Sequence, residues 1–162
     1  MLSFLQTLFR SWVSVTWAMA NGRDLAPLPL VTSVEEIAKL CAQLTASYHS
    51  DPLDYTERPE RLEYHRQAGT LPRLLGLDCD DVAYYAVALC RRLGLESWPV
   101  KVDSSNGYTH AVCYFRRPSG TDGMIDTNGL FWLAGWPSLM SKLSTIYPLA
   151  HFTGESRLPD LW

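Results

Sequence analysis

Residues 76–94 read GLDCDDVAYYAVALCRRLG and contain the clearest helical pattern in the chain. Asp78 is a suitable N-cap residue, and Asp80 and Asp81 follow in the first turn, where carboxylates favour the positive end of the helix dipole. Apolar residues then recur at helical spacing until a glycine ends the stretch. The pattern predicts an amphipathic helix with Cys79 at its N-terminus.

The period of the apolar residues changes from 3.6 to 2 directly after this helix. Alternation over residues 98–102, 108–116 and 124–127 predicts three strands, separated by short turns. In the second strand, His110 falls on the opposite face from Cys113. A helix followed by neighbouring strands predicts an α+β fold, in which the cysteine-bearing helix packs on a small antiparallel sheet.

The chain of 162 residues has the length of a single domain. We assign residues 1–29 to an N-terminal apolar helix and linker, and residues 30–162 to one domain with its core over 51–130. The N-terminal helix would dock on the domain, on a partner or on a membrane surface. The alternative is a cleaved signal or an anchor, because residues 18–20 read AMA, although no basic residue precedes the apolar stretch of residues 1–20.

The composition excludes several classes of protein. With 47% hydrophobic and 19% charged residues, the chain is neither disordered nor collagen-like. A net charge of −3 carries no electrostatic signature of nucleic-acid binding. The four cysteines lack metal-knuckle spacing, and we interpret them as reduced thiols. This interpretation favours a cytoplasmic over an exported protein.

Three residues on consecutive predicted elements have the chemistry of a nucleophilic site. Cys79 begins the helix, where backbone N–H groups and the dipole stabilise a thiolate. His110 and Asp126 follow on neighbouring antiparallel strands, which can bring two side chains side by side. A thiolate attacks an acyl carbon, an imidazole transfers the proton, and a carboxylate holds the imidazole in the required tautomer.

Each of these residues also has a purely structural interpretation. Cys79 can be a small core residue, and His110 can be a half-buried histidine with satisfied hydrogen bonds. Asp126 can simply open the turn over residues 127–129.

Three short motifs carry a resemblance to a known superfamily. GLDCDDVA at residues 76–83, YTHAV at 108–112 and GMID at 123–126 resemble the transglutaminase-like cysteine proteases, in particular their bacterial and phage branch. The resemblance covers about residues 51–130. The chain departs from the pattern at Leu77, where the family often has glycine.

The resemblance implies a papain-like core and a role for each residue of the pattern. Cys79 would be the nucleophile, His110 the base and Asp126 the orienting acid. The family takes its second oxyanion donor from a side chain upstream of the cysteine, and Gln67, Tyr64 and Tyr55 are candidates of suitable type. The sequence does not choose among these three.

The carboxylates around the cysteine have two interpretations. Asp78, Asp80 and Asp81 suit a helix start, and they also resemble the calcium-binding carboxylates of the bacterial protease branch. Their charges raise the pKa of a thiol unless a cation compensates them. Zinc held by the cysteine, histidine and aspartate of the pattern is a less favoured alternative. The mechanism itself requires no cofactor, with Ca²⁺ as the one optional ion.

These observations lead to a functional prediction with alternatives. The leading hypothesis is a thiol hydrolase, a cysteine protease or amidase, that cleaves amide bonds in a protein or peptide substrate. One alternative is a catalytically inactive module that serves as a structural or assembly component of a phage virion or a cell envelope. The other is a crosslinking acyltransferase, in which an amine instead of water resolves the thioester.

Overall fold

The structure is a computed structural model that describes residues 24–48, 56–74 and 76–161. The N-terminal apolar helix expected within residues 1–29 lies almost entirely outside the described residues. Within them the chain folds as an α+β protein with four α-helices and a five-stranded antiparallel sheet. None of these helices is both long and apolar enough to cross a membrane.

The helices and strands alternate in blocks along the chain. The helices are α1 (Val34–Thr45), α2 (Pro59–Ala68), α3 (Cys79–Arg92) and α4 (Ser138–Ile146), with a 3-10 turn over Leu71–Arg73. The strands are β1 (Glu96–Ser104), β2 (Thr109–Arg116), β3 (Asp122–Asp126), β4 (Gly129–Leu133) and β5 (Phe152–Arg157). The strand order is β4-β3-β2-β1-β5.

Local signals determine where the cysteine-bearing helix α3 begins. The Asp78 side chain accepts a hydrogen bond from the N–H of Asp80 at 3.2 Å. The Asp81 carboxylate accepts one from the N–H of Asp78 at 3.1 Å, which completes a capping box. The predicted N-cap is thereby confirmed, and Cys79 is the first residue of the helix.

The two faces of the sheet carry separate cores. Cys113, Phe115 and Ile125 point to the face that packs with α1 and α3. Val112 and Tyr114 point to the other face, where buried residues of α4 join them. The alternation read from β2 therefore assigns its side chains to two different cores, because successive side chains of a strand lie on opposite faces.

Strands β4 and β5 were not predicted from the sequence. Strand β5 reads FTGESR, which has no apolar alternation, and each of its residues is half-buried or exposed in the fold. It pairs with β1 in a register that aligns Val102 with Glu155, two residues that are far apart in the chain. Such a strand is determined by a distant partner and not by its own pattern.

Gly123 in β3 gives a test of the packing between neighbouring strands on the face of the sheet that the helices cover. A Cβ at this position would lie 2.4 Å from Cζ of Phe115, whose ring is fully buried. We expect Gly123→Ala to lower the free energy of unfolding by about 1–3 kcal/mol, because an overpacked core forces neighbouring groups to move. Urea denaturation measures this loss.

The matched control is Gly154→Ala in β5, where an added Cβ meets no atom within 4 Å. This variant should unfold at nearly the wild-type urea concentration. Equal midpoints for the two variants would show that Phe115 does not constrain position 123.

Candidate active site

The Cys79 thiol lies half-buried at the N-terminus of α3. Burial and the nearby Asp78 carboxylate raise its pKa to about 12, and Asp80 acts in the same direction. A hydrogen bond from the main chain of Ala111 opposes this rise in pKa but does not outweigh it. The direction is the one expected from the flanking carboxylates, because desolvation and two negative charges exceed the stabilisation of a thiolate by the helix N-terminus.

Two tyrosines flank the thiol. Burial, followed by the charge of Cys79, raises the pKa of both Tyr48 and Tyr108. Tyr48 also interacts with Asp78, whereas Tyr108 interacts with Asp126. Tyr108 is thus close enough to interact with both the cysteine and the aspartate of the sequence pattern, a role that the sequence did not reveal.

His110 and Asp126 are both buried and face each other at the end of the sheet. His110 Nε2 lies 3.6 Å from Asp126 Oδ2. In the β2–β3 ladder, Cys113 pairs with Ile125, and one further step of this register aligns Asp126 with Val112. The two side chains are therefore diagonal neighbours and not directly opposite each other, which leaves a gap between them.

The Tyr147 hydroxyl fills this gap. It donates to Asp126 Oδ2 at 3.0 Å and lies 3.1 Å from His110 Nε2. It also accepts a hydrogen bond from the Asn128 side-chain amide at 2.6 Å. Because a phenol has a single hydrogen and a carboxylate only accepts, we assign that hydrogen to Asp126 and assign Nε2 of His110 as the donor to Tyr147. This assignment leaves Nδ1 unprotonated, so that it is the basic nitrogen of the neutral ring.

Asp126 has a structural role as well. Its Oδ1 accepts hydrogen bonds from the backbone N–H groups of Asn128 at 2.6 Å and Gly129 at 3.1 Å. One oxygen therefore stabilises the turn into β4, while the other faces Tyr147 and His110. The two interpretations of this residue are compatible, because its two carboxylate oxygens make different contacts.

The structure brings the cysteine and the histidine to the same end of β2 without a direct bond. The thiol contacts the main chain of Ala111, the residue that follows His110. Among the described residues, the hydrogen bonds of the His110 ring involve Tyr147, and none joins the ring to Cys79. Apo enzymes often have catalytic hydrogen bonds that are longer than in the substrate complex.

The three oxyanion candidates have different surroundings. The Gln67 amide donates to Glu63 Oε1 at 2.6 Å. The Tyr64 side chain is partly exposed on α2 and packs edge-on against His65. Tyr55 lies outside the described residues. Neither of these contacts of Gln67 and Tyr64 involves Cys79, so the second oxyanion donor remains a prediction.

The carboxylates near the thiol divide into two groups. Asp78 and Asp80 each have an oxygen within 4.8 Å of the other and of Cys79 Sγ. The Asp81 carboxylate is fully buried and accepts hydrogen bonds from two backbone N–H groups, those of Asp78 and Glu57. Burial, with the charge of Asp80, raises the pKa of Asp81.

The same geometry bears on the metal predictions. Calcium takes six to eight oxygen ligands, and a cluster of two carboxylates and a thiol supplies few of them. Within the described part of the chain, the group that could hold a metal does not include His110 or Asp126. The calcium site at Asp78, Asp80 and Asp81 stays a prediction.

The raised thiol pKa leads to a test with Asp78→Asn. Asparagine is an equally good N-cap residue, so the helix start should persist while one negative charge is removed. We expect iodoacetamide to label Cys79 about three- to tenfold faster at pH 8, because a lower pKa increases the thiolate fraction. Intact-mass kinetics followed by peptide mapping measure the rate.

The control is Asp103→Asn, which removes an exposed charge that pairs with Lys101 on β1. It should leave the labelling rate of Cys79 unchanged. In the wild type, the rate should rise with pH up to at least pH 10. A plateau near pH 6 would mean that the thiolate is already formed, against the raised pKa.

Comparisons with known proteins do not assign this chain to a family, so its functional class is argued from the geometry of the site. No protein-family model, no curated protein and no solved structure matches it.

Proposed function

We propose that the protein is a thiol hydrolase that cleaves amide bonds with Cys79, His110 and Asp126. The observation that supports this proposal best is the chain of contacts from His110 through Tyr147 to Asp126. His110 Nε2 lies 3.1 Å from the Tyr147 hydroxyl, which donates to Asp126 Oδ2 at 3.0 Å, and this arrangement favours Nδ1 as the base. The half-buried thiol of Cys79 contacts the neighbouring main chain at Ala111.

In the first half of the reaction, the Cys79 thiol attacks the amide carbonyl carbon. Its proton moves to Nδ1 of His110 as the S–C bond forms, so the raised thiol pKa is overcome by transfer during the attack. The tetrahedral intermediate collapses with cleavage of the C–N bond. The imidazolium then returns its proton to the leaving amine, and a thioester remains on Cys79.

In the second half, water replaces the amine. Nδ1 of His110 takes a proton from the attacking water, and the C–O bond forms at the thioester carbon. The S–C bond breaks, the proton returns to the sulfur, and the carboxylic acid leaves. Asp126 stabilises the imidazolium in both halves, and Tyr147 acts as a positioning residue between the two.

The raised pKa of Cys79 favours one alternative, the catalytically inactive module. A thiol that is held neutral by burial and by Asp78 is a poor nucleophile unless His110 reaches it. The proposal therefore requires Nδ1 of His110 to come within hydrogen-bond distance of Sγ when substrate binds.

Trapping the thioester tests the proposal. The full chain is mixed with p-nitrophenyl acetate, quenched in acid and analysed by intact mass. We expect a single acetyl adduct that maps to Cys79 and decays with time. The other three cysteines are buried and serve as internal controls.

The same experiment separates the three functions. Decay of the adduct to acetate supports a hydrolase. Faster decay in the presence of an added primary amine, with acetyl-amine as the product, supports an acyltransferase. An iodoacetamide-reactive Cys79 that never forms the adduct contradicts both, and it leaves the inactive module.

A further inference from the structure

We propose that the groove beside His110 binds the side chain of the acyl-donor residue, and that the substrates are peptide amides with an uncharged, apolar side chain at that residue. This inference rests on the proposed function. It specifies the substrate class of the same site.

The groove shares its walls with the candidate site. It has a volume of about 400 Å³ and is lined by Tyr108, Tyr147, Ile146, the segment 148–150 and Asn106. The Tyr108 ring stacks on the His110 ring with centroids 6.1 Å apart, and the Tyr147 ring lies edge-on at 4.9 Å. A side chain in the groove would therefore place its own carbonyl next to His110.

Hydrogen bonds hold the two walls of the groove together. The Asn106 amide donates to the Leu149 carbonyl at 2.9 Å, and the N–H of Ser105 donates to the His151 carbonyl at 3.2 Å. His151 has a φ of 50°, a conformation that is uncommon outside glycine. The loop after α4 is thus fixed against the turn before β2, and the groove is formed without a ligand.

The chemistry of the lining indicates what the groove would accept. None of the described residues that line it is charged, and Leu149 is 82% exposed at its rim. An isolated charge would lose hydration there without gaining a partner, whereas an aliphatic or aromatic side chain would bury apolar surface. The volume lies at the lower end of the range of about 300–1,000 Å³ for small-ligand pockets, so a large apolar side chain fits together with part of the adjoining peptide.

The test uses N-acetyl-aminoacyl vinyl sulfones with glycine, phenylalanine or glutamate as the amino acid. The thiol adds across the vinyl double bond, the S–C bond forms and the proton moves to the adjacent carbon, so no leaving group is needed. We expect the phenylalanine probe to label Cys79 about tenfold faster than the glycine and glutamate probes. Intact mass and peptide mapping give the three rates.

Two matched variants show whether the preference originates in the groove. Leu149→Asp places a charge at the rim. The rate with the phenylalanine probe divided by the rate with the glycine probe should then fall from about ten to a value between about one and three. Leu30→Asp changes another leucine that is 86% exposed, far along the chain, and it should keep the wild-type ratio.

Two results would overturn the inference in distinguishable ways. Equal rates for all probes in the wild type mean that the groove binds no acyl side chain, while Cys79 remains a nucleophile. A Cys79 that reacts with iodoacetamide and with no vinyl sulfone contradicts the proposed function itself. In the first case, a protein partner or the apolar N-terminal stretch of this chain becomes the occupant to test.

Discussion

Replacement of Cys79 by alanine should abolish the hydrolysis of peptide amides, with a loss on the order of 10⁴-fold or more. The residue supplies the only protein atom that forms a bond to the substrate carbonyl in the proposed mechanism, so nothing remains to form the thioester. A mixed peptide pool offers many substrates at once, and mass spectrometry of its cleavage products measures the loss.

The control for this variant is a second cysteine of the same helix. Cys90→Ala removes a buried thiol that lies 4.0 Å from Cys113 Sγ, and it should lower stability without removing activity. Unchanged cleavage by Cys79→Ala would contradict the proposed function. His110→Ala should lose a comparable factor, and partial recovery with added imidazole would identify the loss as that of the base.

Of the variants proposed here for stability measurements, Glu63→Gln should lose the most free energy of unfolding. Glu63 is fully buried in α2 and accepts hydrogen bonds from Arg66 at 2.7 and 2.8 Å, from Gln67 at 2.6 Å and from Tyr85 of α3 at 2.6 Å. Glutamine cannot replace these acceptors and leaves the Arg66 charge without its partner. We expect a loss of about 3 kcal/mol in the free energy of unfolding, measured in urea.

The pH dependence of this loss provides a second check. Burial raises the pKa of Glu63, but hydrogen bonds from Arg66, Tyr85 and Gln67 outweigh it and the net pKa is lowered. A carboxyl group with a lowered folded-state pKa contributes stability above its unfolded pKa, near 4.3, and loses it as pH falls further. The difference between wild type and Glu63→Gln should therefore be complete at pH 7 and shrink below about pH 4.

The control for Glu63 is Glu96→Gln. Glu96 pairs with Arg116 at 3.5 Å on the surface, with 61% of its side chain exposed. Exposed pairs contribute little to stability, so this variant should unfold close to the wild type at all pH values. If both variants lost the same free energy of unfolding, the buried hydrogen bonds of Glu63 between α2 and α3 would not be the source of its contribution to stability.

The hydrogen bonds of Tyr147 could not be predicted from the sequence. Tyr147 follows α4 and contacts His110, Asp126 and Asn128, which lie 19 to 37 residues earlier. No spacing rule connects a tyrosine after a helix with a histidine on a distant strand. The diagonal register of β2 and β3 creates the gap that its hydroxyl fills, and that register is a property of the assembled sheet.

The sequence by itself determined the local features of this protein. The start of α3 at Asp78 and the alternation through β2 depend on hydrogen bonds and side-chain directions within a few residues. Local signals of this kind are readable because the interacting groups are neighbours in the chain. They predicted the α+β class and the position of Cys79 at a helix N-terminus.

Only the tertiary structure decided the electrostatics and the surroundings of the candidate site. The pKa of Cys79 rises because packing removes water from the thiol, and the helix N-terminus compensates only part of that loss. The groove beside His110 exists because the loop after α4 meets the turn before β2. Burial and contacts between distant segments set both properties, since desolvation depends on every atom around a group and not on its neighbours in sequence.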